Sequence, residues 1–154
     1  MDPKEIILWT EDDENDVFII ERAVQKMQAP VSLHVVPDGV VAIQYLMGEG
    51  KFADRALHPL PTLILVDIKM PRKSGFEFLE WLKSDGRFTH VPVVMISASP
   101  MKSDIAYAHE LGVAAYLVKP IGEKNLERLF KATEEFLAAQ PVQTKRPLLR
   151  WDIP

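Results

Sequence analysis

Five short apolar runs recur at long intervals along the chain: Ile6-Ile7-Leu8-Trp9, Val31 to Val36, Leu63-Ile64-Leu65-Val66, Val91 to Ile96, and Ala115-Tyr116-Leu117-Val118. Each reads as continuous rather than alternating. Successive side chains of a strand point to opposite faces, so a run that is apolar throughout must be covered on both sides. That requirement disfavours a half-solvated antiparallel sheet and points to a parallel sheet between two layers of helices.

The segments between the runs carry helical spacing. Val17, Ile20, Val24 and Met27 share one face, with Glu21, Arg22 and Lys26 opposite. Val41, Tyr45 and Leu46 follow Asp38, a residue suited to N-capping. Phe76, Leu79 and Leu82 follow Ser74 and Gly75, and Ile105, Ala108 and Leu111 end at Gly112. Leu126, Leu129, Phe130, Thr133 and Leu137 form the last and longest set. Strand and helix therefore alternate five times, the pattern of an α/β fold. With right-handed crossovers, five parallel strands and five helices fit the flavodoxin-like, doubly wound order 2-1-3-4-5. Gly48 to Pro61, with Gly48, Gly50, Pro59 and Pro61, reads as a surface loop.

A chain of 154 residues has room for one such domain and a short extra segment. Residues 1–140 are read as the domain. Pro141 stops the last helix and leaves 141–154 as a tail or arm, with no output domain. The tail carries Leu148, Leu149, Trp151 and Ile153, too apolar for a free end. It is read as an arm that exchanges between two copies, giving a homodimer, rather than one folded back on its own domain. Cysteine is absent, which excludes disulfide scaffolds, thiolate metal sites and cysteine nucleophiles. The net charge of −4 argues against nucleic acid as the partner, and no apolar run is long enough to cross a bilayer. The charged Met1-Asp2-Pro3-Lys4-Glu5 start is no signal peptide, so the expected location is cytoplasmic.

The carboxyl ends of the strands concentrate the chemistry. Strand one ends in Glu11-Asp12-Asp13, strand three in Asp67, strand four in Ser97 and strand five in Lys119-Pro120. In an open α/β sheet such ends meet at the switch point, where ligands bind. Crowded carboxylates need a cation, and an all-oxygen donor set suits a hard ion such as Mg²⁺. One carboxylate can then attack a phosphoryl group as nucleophile. A lysine ammonium and a small hydroxyl stabilise the charge on the transferred oxygens.

At this point the chain resembles the receiver domain of two-component response regulators. The matching pieces are Ile7-Leu8-Trp9-Thr10-Glu11-Asp12, Leu65-Val66-Asp67-Ile68-Lys69-Met70-Pro71 with Ser74-Gly75, Val94-Met95-Ile96-Ser97-Ala98, and Tyr116-Leu117-Val118-Lys119-Pro120, spread over roughly residues 5 to 139. The resemblance implies that Asp67 is the phosphoacceptor. It implies that Glu11, Asp12, Asp67 and the backbone carbonyl of Lys69 hold Mg²⁺ or Mn²⁺, with the longer Glu11 reaching it through water. Ser97 becomes the switch hydroxyl, Lys119 the lysine that binds the phosphoryl group, and Tyr116 the switch aromatic that turns inward. The Lys119-Pro120 bond is expected to be cis. The phosphoryl donor is a histidine kinase. The Glu49-Gly50-Lys51-Phe52 loop, the Met70 to Gly75 turn and the Leu82 to Val93 segment resemble the single-domain regulators of bacterial and cyanobacterial phytochromes, which suggests a bacteriophytochrome as that kinase.

Other readings compete. The acidic cluster alone is an ordinary helix-capping turn, Asp67 alone a turn residue, and Ser97, Lys119 and Tyr116 alone are loop, surface and core residues. His34, His58, His90 and His109 show no ligand spacing. A phosphorylation-independent scaffold would not need the full set. A haloacid-dehalogenase-type phosphatase would need a second aspartate two residues after the nucleophile, where Lys69 stands. The protein is thus read as a phosphoacceptor that assists its own phosphorylation and dephosphorylation, not an enzyme acting on other substrates.

Overall fold

Alternate residues of the strands feed two different cores, and this explains why the runs are apolar throughout. In the computed structural model, residues 5–28, 30–70 and 72–139 are described. The strands are β1 (Glu5–Thr10), β2 (Val31–Val36), β3 (Leu63–Val66), β4 (Val93–Ser97) and β5 (Ala115–Val118), all parallel, in the order β2-β1-β3-β4-β5. The helices are α1 (Glu14–Met27), α2 (Gly39–Met47), α3 (Gly75–Asp85), α4 (Lys102–Glu110) and α5 (Glu123–Ala139). This is the expected order and helix count.

On one face Ile7, Trp9, Leu63, Leu65, Val94, Ile96, Ala115 and Leu117 pack with Ile20 of α1 and Leu126, Leu129 and Phe130 of α5. On the other face Leu8, Ile64, Val66, Met95 and Tyr116 pack under Ala42, Tyr45 and Leu46 of α2, Phe78, Leu79 and Leu82 of α3, and Ala108 of α4. Val17, Val24 and Met27 complete the apolar face expected for α1.

Local chemistry sets the helix ends. Asp13 caps α1 by accepting from the N–H groups of Asn15 and Asp16, and Asp38 caps α2 by accepting from Val41. Ser74 and Glu77 form a reciprocal capping box on α3. Gly48 and Gly86 close α2 and α3 in the left-handed conformation that glycine adopts without strain.

Several expectations are corrected. The fourth run begins at Val91, yet β4 begins at Val93, because Pro92 has no N–H to give the ladder. Strand β2 is not continuous in burial. It is an edge strand, and most of its residues are only half-buried. In α3 Phe78 is fully buried and Phe76 only partly so. The 48–61 segment is no simple surface loop. It contains a 3₁₀ turn, Gly50–Ala53, whose Phe52 is buried against Tyr45. Arg55 fastens it by donating to the carbonyls of Tyr45, Leu46 and His58. No helix among the described residues is long and apolar enough to cross a membrane. The 141–154 tail, with the arm and dimer readings attached to it, lies outside the described residues, as do the side chains of Thr133 and Leu137.

Candidate functional site

Strand register brings the chemistry-bearing residues together before any side chain is considered. Thr10 pairs with Val66, Val66 with Met95, and Ser97 with Val118. The next residues outward are therefore Glu11, Asp67 and Lys119. Backbone bonds continue past the strand ends: Glu11 donates to Val36 at 2.9 Å, Asp67 to Thr10 at 3.3 Å, and Lys119 to Ser97 at 2.8 Å. The backbone under each functional side chain is thus held by its neighbour strand.

The Lys119 ammonium is the hub. Its Nζ lies 2.7 Å from Glu11 Oε1, 2.7 Å from Asp67 Oδ2 and 2.8 Å from Asp16 Oδ2. An ammonium has three N–H donors, and each meets a carboxylate. Glu11 is wholly engaged, its other oxygen accepting from the Asp13 N–H at 3.1 Å. The second Asp67 oxygen accepts from the Lys69 N–H at 3.2 Å. The Lys119-Pro120 peptide is cis.

Burial and charge perturb the cluster. Burial pushes the Glu11 carboxyl up to about 7, the Lys119 hydrogen bond pulls the other way, and the Asp67 charge adds to the rise. Burial alone would lower the Lys119 ammonium. The carboxylates of Asp16, Asp67 and Glu11 outweigh it and hold the group above the ordinary lysine range.

The donor set suits a hard cation. With all groups ionised, Glu11, Asp12, Asp16 and Asp67 against Lys119 carry four negative charges and one positive, a formal −3. A divalent ion would reduce this to −1. Asp12 is exposed and lines one surface depression with Lys69, Met70 and Ser74, so the sequence-derived ligands Asp12 and Lys69 do share a side of the site. Among the described residues no three metal-ligating side chains form a ready cage. Lys119 draws Glu11 and Asp67 onto itself instead.

The loop after β3 is pressed against Asp67. The Gly75 N–H donates to Ile68 O at 2.9 Å, and a Cβ at this glycine would lie 2.2 Å from the Asp67 carbonyl oxygen. Only a residue without a side chain allows that approach. The same loop is tied to α2. Arg72 pairs with the buried Asp38 at 2.8 Å, and Gly39 donates to Lys73 O at 3.2 Å.

Ser97 is buried at the end of β4, its Oγ accepting from the Ser99 N–H at 3.2 Å. Tyr116 is fully buried and donates to Ser99 O at 2.7 Å, and burial raises its phenol. Ser99 Oγ donates to Asp104 of α4 at 2.5 Å. A chain of hydrogen bonds therefore runs from the Ser97 hydroxyl to the first turn of α4. Tyr116 already occupies the inward position.

Sequence reasoning placed Glu11, Asp67, Lys119, Ser97 and Tyr116 at one end of the sheet, and the structure gathers them there. It missed Asp16. The available signal was its position: Asp16 lies three residues after Asp13, the cap of α1, in the first helical turn next to the acidic end of β1. It also missed Thr10, whose Oγ accepts from the Asp67 N–H at 3.3 Å.

Comparisons with known proteins agree with the fold. The response regulator receiver domain model matches residues 7–131. Response regulator Rcp1 of Synechocystis sp. is 29% identical over 134 residues, covering 87% of this chain and 89% of that protein. The phosphorylated cyanobacterial phytochrome response regulator RcpA superposes with a TM-score of 0.72 at 33% identity, over 88% of this chain and 94% of that one. The Mn²⁺-bound form of Rcp1 superposes with a TM-score of 0.68 at 28% identity, over 93% of this chain and 98% of that one.

Proposed function

The chain belongs to the response regulator receiver domain family, and from that premise we propose that it accepts a phosphoryl group on Asp67 from a histidine kinase. One observation carries the residue assignment: a half-buried ammonium, that of Lys119, lies 2.7 Å from both Asp67 and Glu11 at the switch edge of the sheet.

A carboxylate oxygen of Asp67 attacks phosphorus in line with the leaving group. The new oxygen–phosphorus bond forms as the phosphorus–nitrogen bond of the donor phosphohistidine breaks. The imidazole leaves with the bonding pair and takes up a proton. Lys119 meets the negative oxygens as a point charge, and the Ser97 hydroxyl donates to another. Asp12, Asp67 and the Lys69 carbonyl would hold a divalent cation, Mg²⁺ or Mn²⁺, with Glu11 reaching it through water. When bound, that ion neutralises charge on the phosphoryl oxygens. Drawing Ser97 toward the phosphoryl group pulls on Ser99, and through it on Tyr116 and α4, a local charge event read out by a two-state element.

The likeness to RcpA supports a phytochrome-type kinase as donor, and such phosphotransfer supports a cytoplasmic location. The apolar tail supports a homodimer. Sedimentation of wild type against a Leu148→Glu, Trp151→Glu double variant tests it, and an unchanged dimer refutes the role of the tail. The central experiment is intact mass after incubation with Mg²⁺ and a small-molecule phosphodonor. One added phosphoryl group on wild type and none on Asp67→Asn is expected. Equal labelling of both removes the assignment.

A further inference from the structure

We propose that Asp16 is a positioning residue that holds one N–H of Lys119 in reserve and gives it up when the phosphoryl group arrives. The inference rests on the reading of Asp67 as phosphoacceptor. The Lys119 ammonium has three donors and all three are taken, by Glu11, Asp67 and Asp16. A phosphoryl oxygen on Asp67 can be met only by releasing one of them. The three partners are not equivalent. The Glu11 side chain is 0% exposed and its other oxygen is already bonded, so its release would strand a buried carboxylate. Asp67 is the residue being modified. The Asp16 side chain is 32% exposed, so water can replace the lysine there. It sits on the first turn of α1, where the helix N-terminus favours a negative charge without any partner.

Asp16 thus competes with the phosphoryl group for Lys119, and its negative charge repels the same oxygens. Removing it strengthens the phosphorylated state. A structural lesion would do the opposite, so the direction of change separates the two.

The test is beryllofluoride affinity of the full chain with Mg²⁺, read by calorimetry, for wild type, Asp16→Asn, Asp16→Ala and Glu14→Gln. Glu14 is an exposed acidic residue of the same helix turn and has no bond to Lys119. Exchange of one charge-assisted bond, discounted for the solvent at Asp16, predicts about a threefold to tenfold gain for Asp16→Ala, less for Asp16→Asn, and little for Glu14→Gln. Unchanged or weaker binding in both Asp16 variants overturns the proposal, as does an equal gain in Glu14→Gln. Wild type that fails to bind beryllofluoride, with Asp67→Asn behaving alike, overturns the phosphoacceptor reading itself and this inference with it.

Discussion

An alanine at position 75 tests whether Asp67 is placed by the close approach of backbone to backbone. The added Cβ would lie 2.2 Å from the Asp67 carbonyl oxygen, 2.8 Å from its carbonyl carbon and 2.9 Å from the Ile68 Cα. All three are backbone atoms, so no flexible side chain can swing aside. Ordinary contact begins at roughly 3.5 Å, so the loop carrying Asp67 must retreat by about 1 Å. Overpacking of this kind costs about 1–3 kcal/mol. Better helix propensity returns at most about 1 kcal/mol at the start of α3. The expected net loss is about 1–2 kcal/mol, read as a lower urea midpoint at unchanged slope. The larger effect falls on chemistry, because a 1 Å misplacement of a reacting group costs on the order of 100-fold in rate. Initial rates of phosphodonor labelling, taken where both proteins are fully folded, measure that term separately from stability. Gly122→Ala is the control: nothing lies within 4 Å of its added Cβ and its φ is not positive. Gly75→Ala with wild-type stability and a wild-type labelling rate would refute the reasoning.

Three further perturbations have defined outcomes. The folded value of about 7 for Glu11 lies above its ordinary 4.5, so the native state holds that proton more tightly. Its contribution to stability is complete below pH 4.5 and is lost as pH rises through 7, up to about 3 kcal/mol. Glu11→Gln in chelator should abolish that decline, and urea midpoints at pH 4.5 to 8 that fall in parallel for both proteins would contradict it. Asp38 is buried, caps α2 and pairs with the exposed Arg72, so Asp38→Ala should cost about 1–2 kcal/mol and Arg72→Ala under about 1. Equal thermal shifts for the two would show that the cap is not the main term. Lys119→Met leaves Glu11, Asp16 and Asp67 without their cation. In chelator it should lose about 2 kcal/mol, the buried-pair cost reduced for the solvent at Asp16. Mg²⁺ should then raise the melting temperature of the variant more than that of wild type. An equal Mg²⁺ shift in both would dissociate the lysine from the cation site.

What the sequence made legible was whatever depends on strand ends. Parallel register is geometry of the backbone. Once Thr10, Val66 and Met95 are level, Glu11 and Asp67 must be neighbours whatever their side chains do. The burial of both sheet faces could be read from Leu63 to Val66 for the same reason: each residue of that strand is fully buried. Reading β2 the same way failed because an edge strand has a neighbour on one side only, which leaves room for the polar Ser32 and His34, whose Oγ and Nε2 hydrogen-bond each other at 2.9 Å. The 48–61 segment was illegible for a different reason. Its packing depends on Arg55 reaching three backbone carbonyls, and a side-chain-to-carbonyl bond leaves no pattern in residue types. The charge division inside the site was hidden likewise. Sequence showed which carboxylates share an edge, but not that one ammonium would be divided among Glu11, Asp16 and Asp67. That division decides how the site behaves. With every lysine donor spent, phosphorylation cannot merely add a group to the site; it has to exchange one ion pair for another. Strand register therefore determines which residues meet at this edge, and in the exchange proposed above the competition for Lys119 sets how firmly a phosphoryl group on Asp67 would be held.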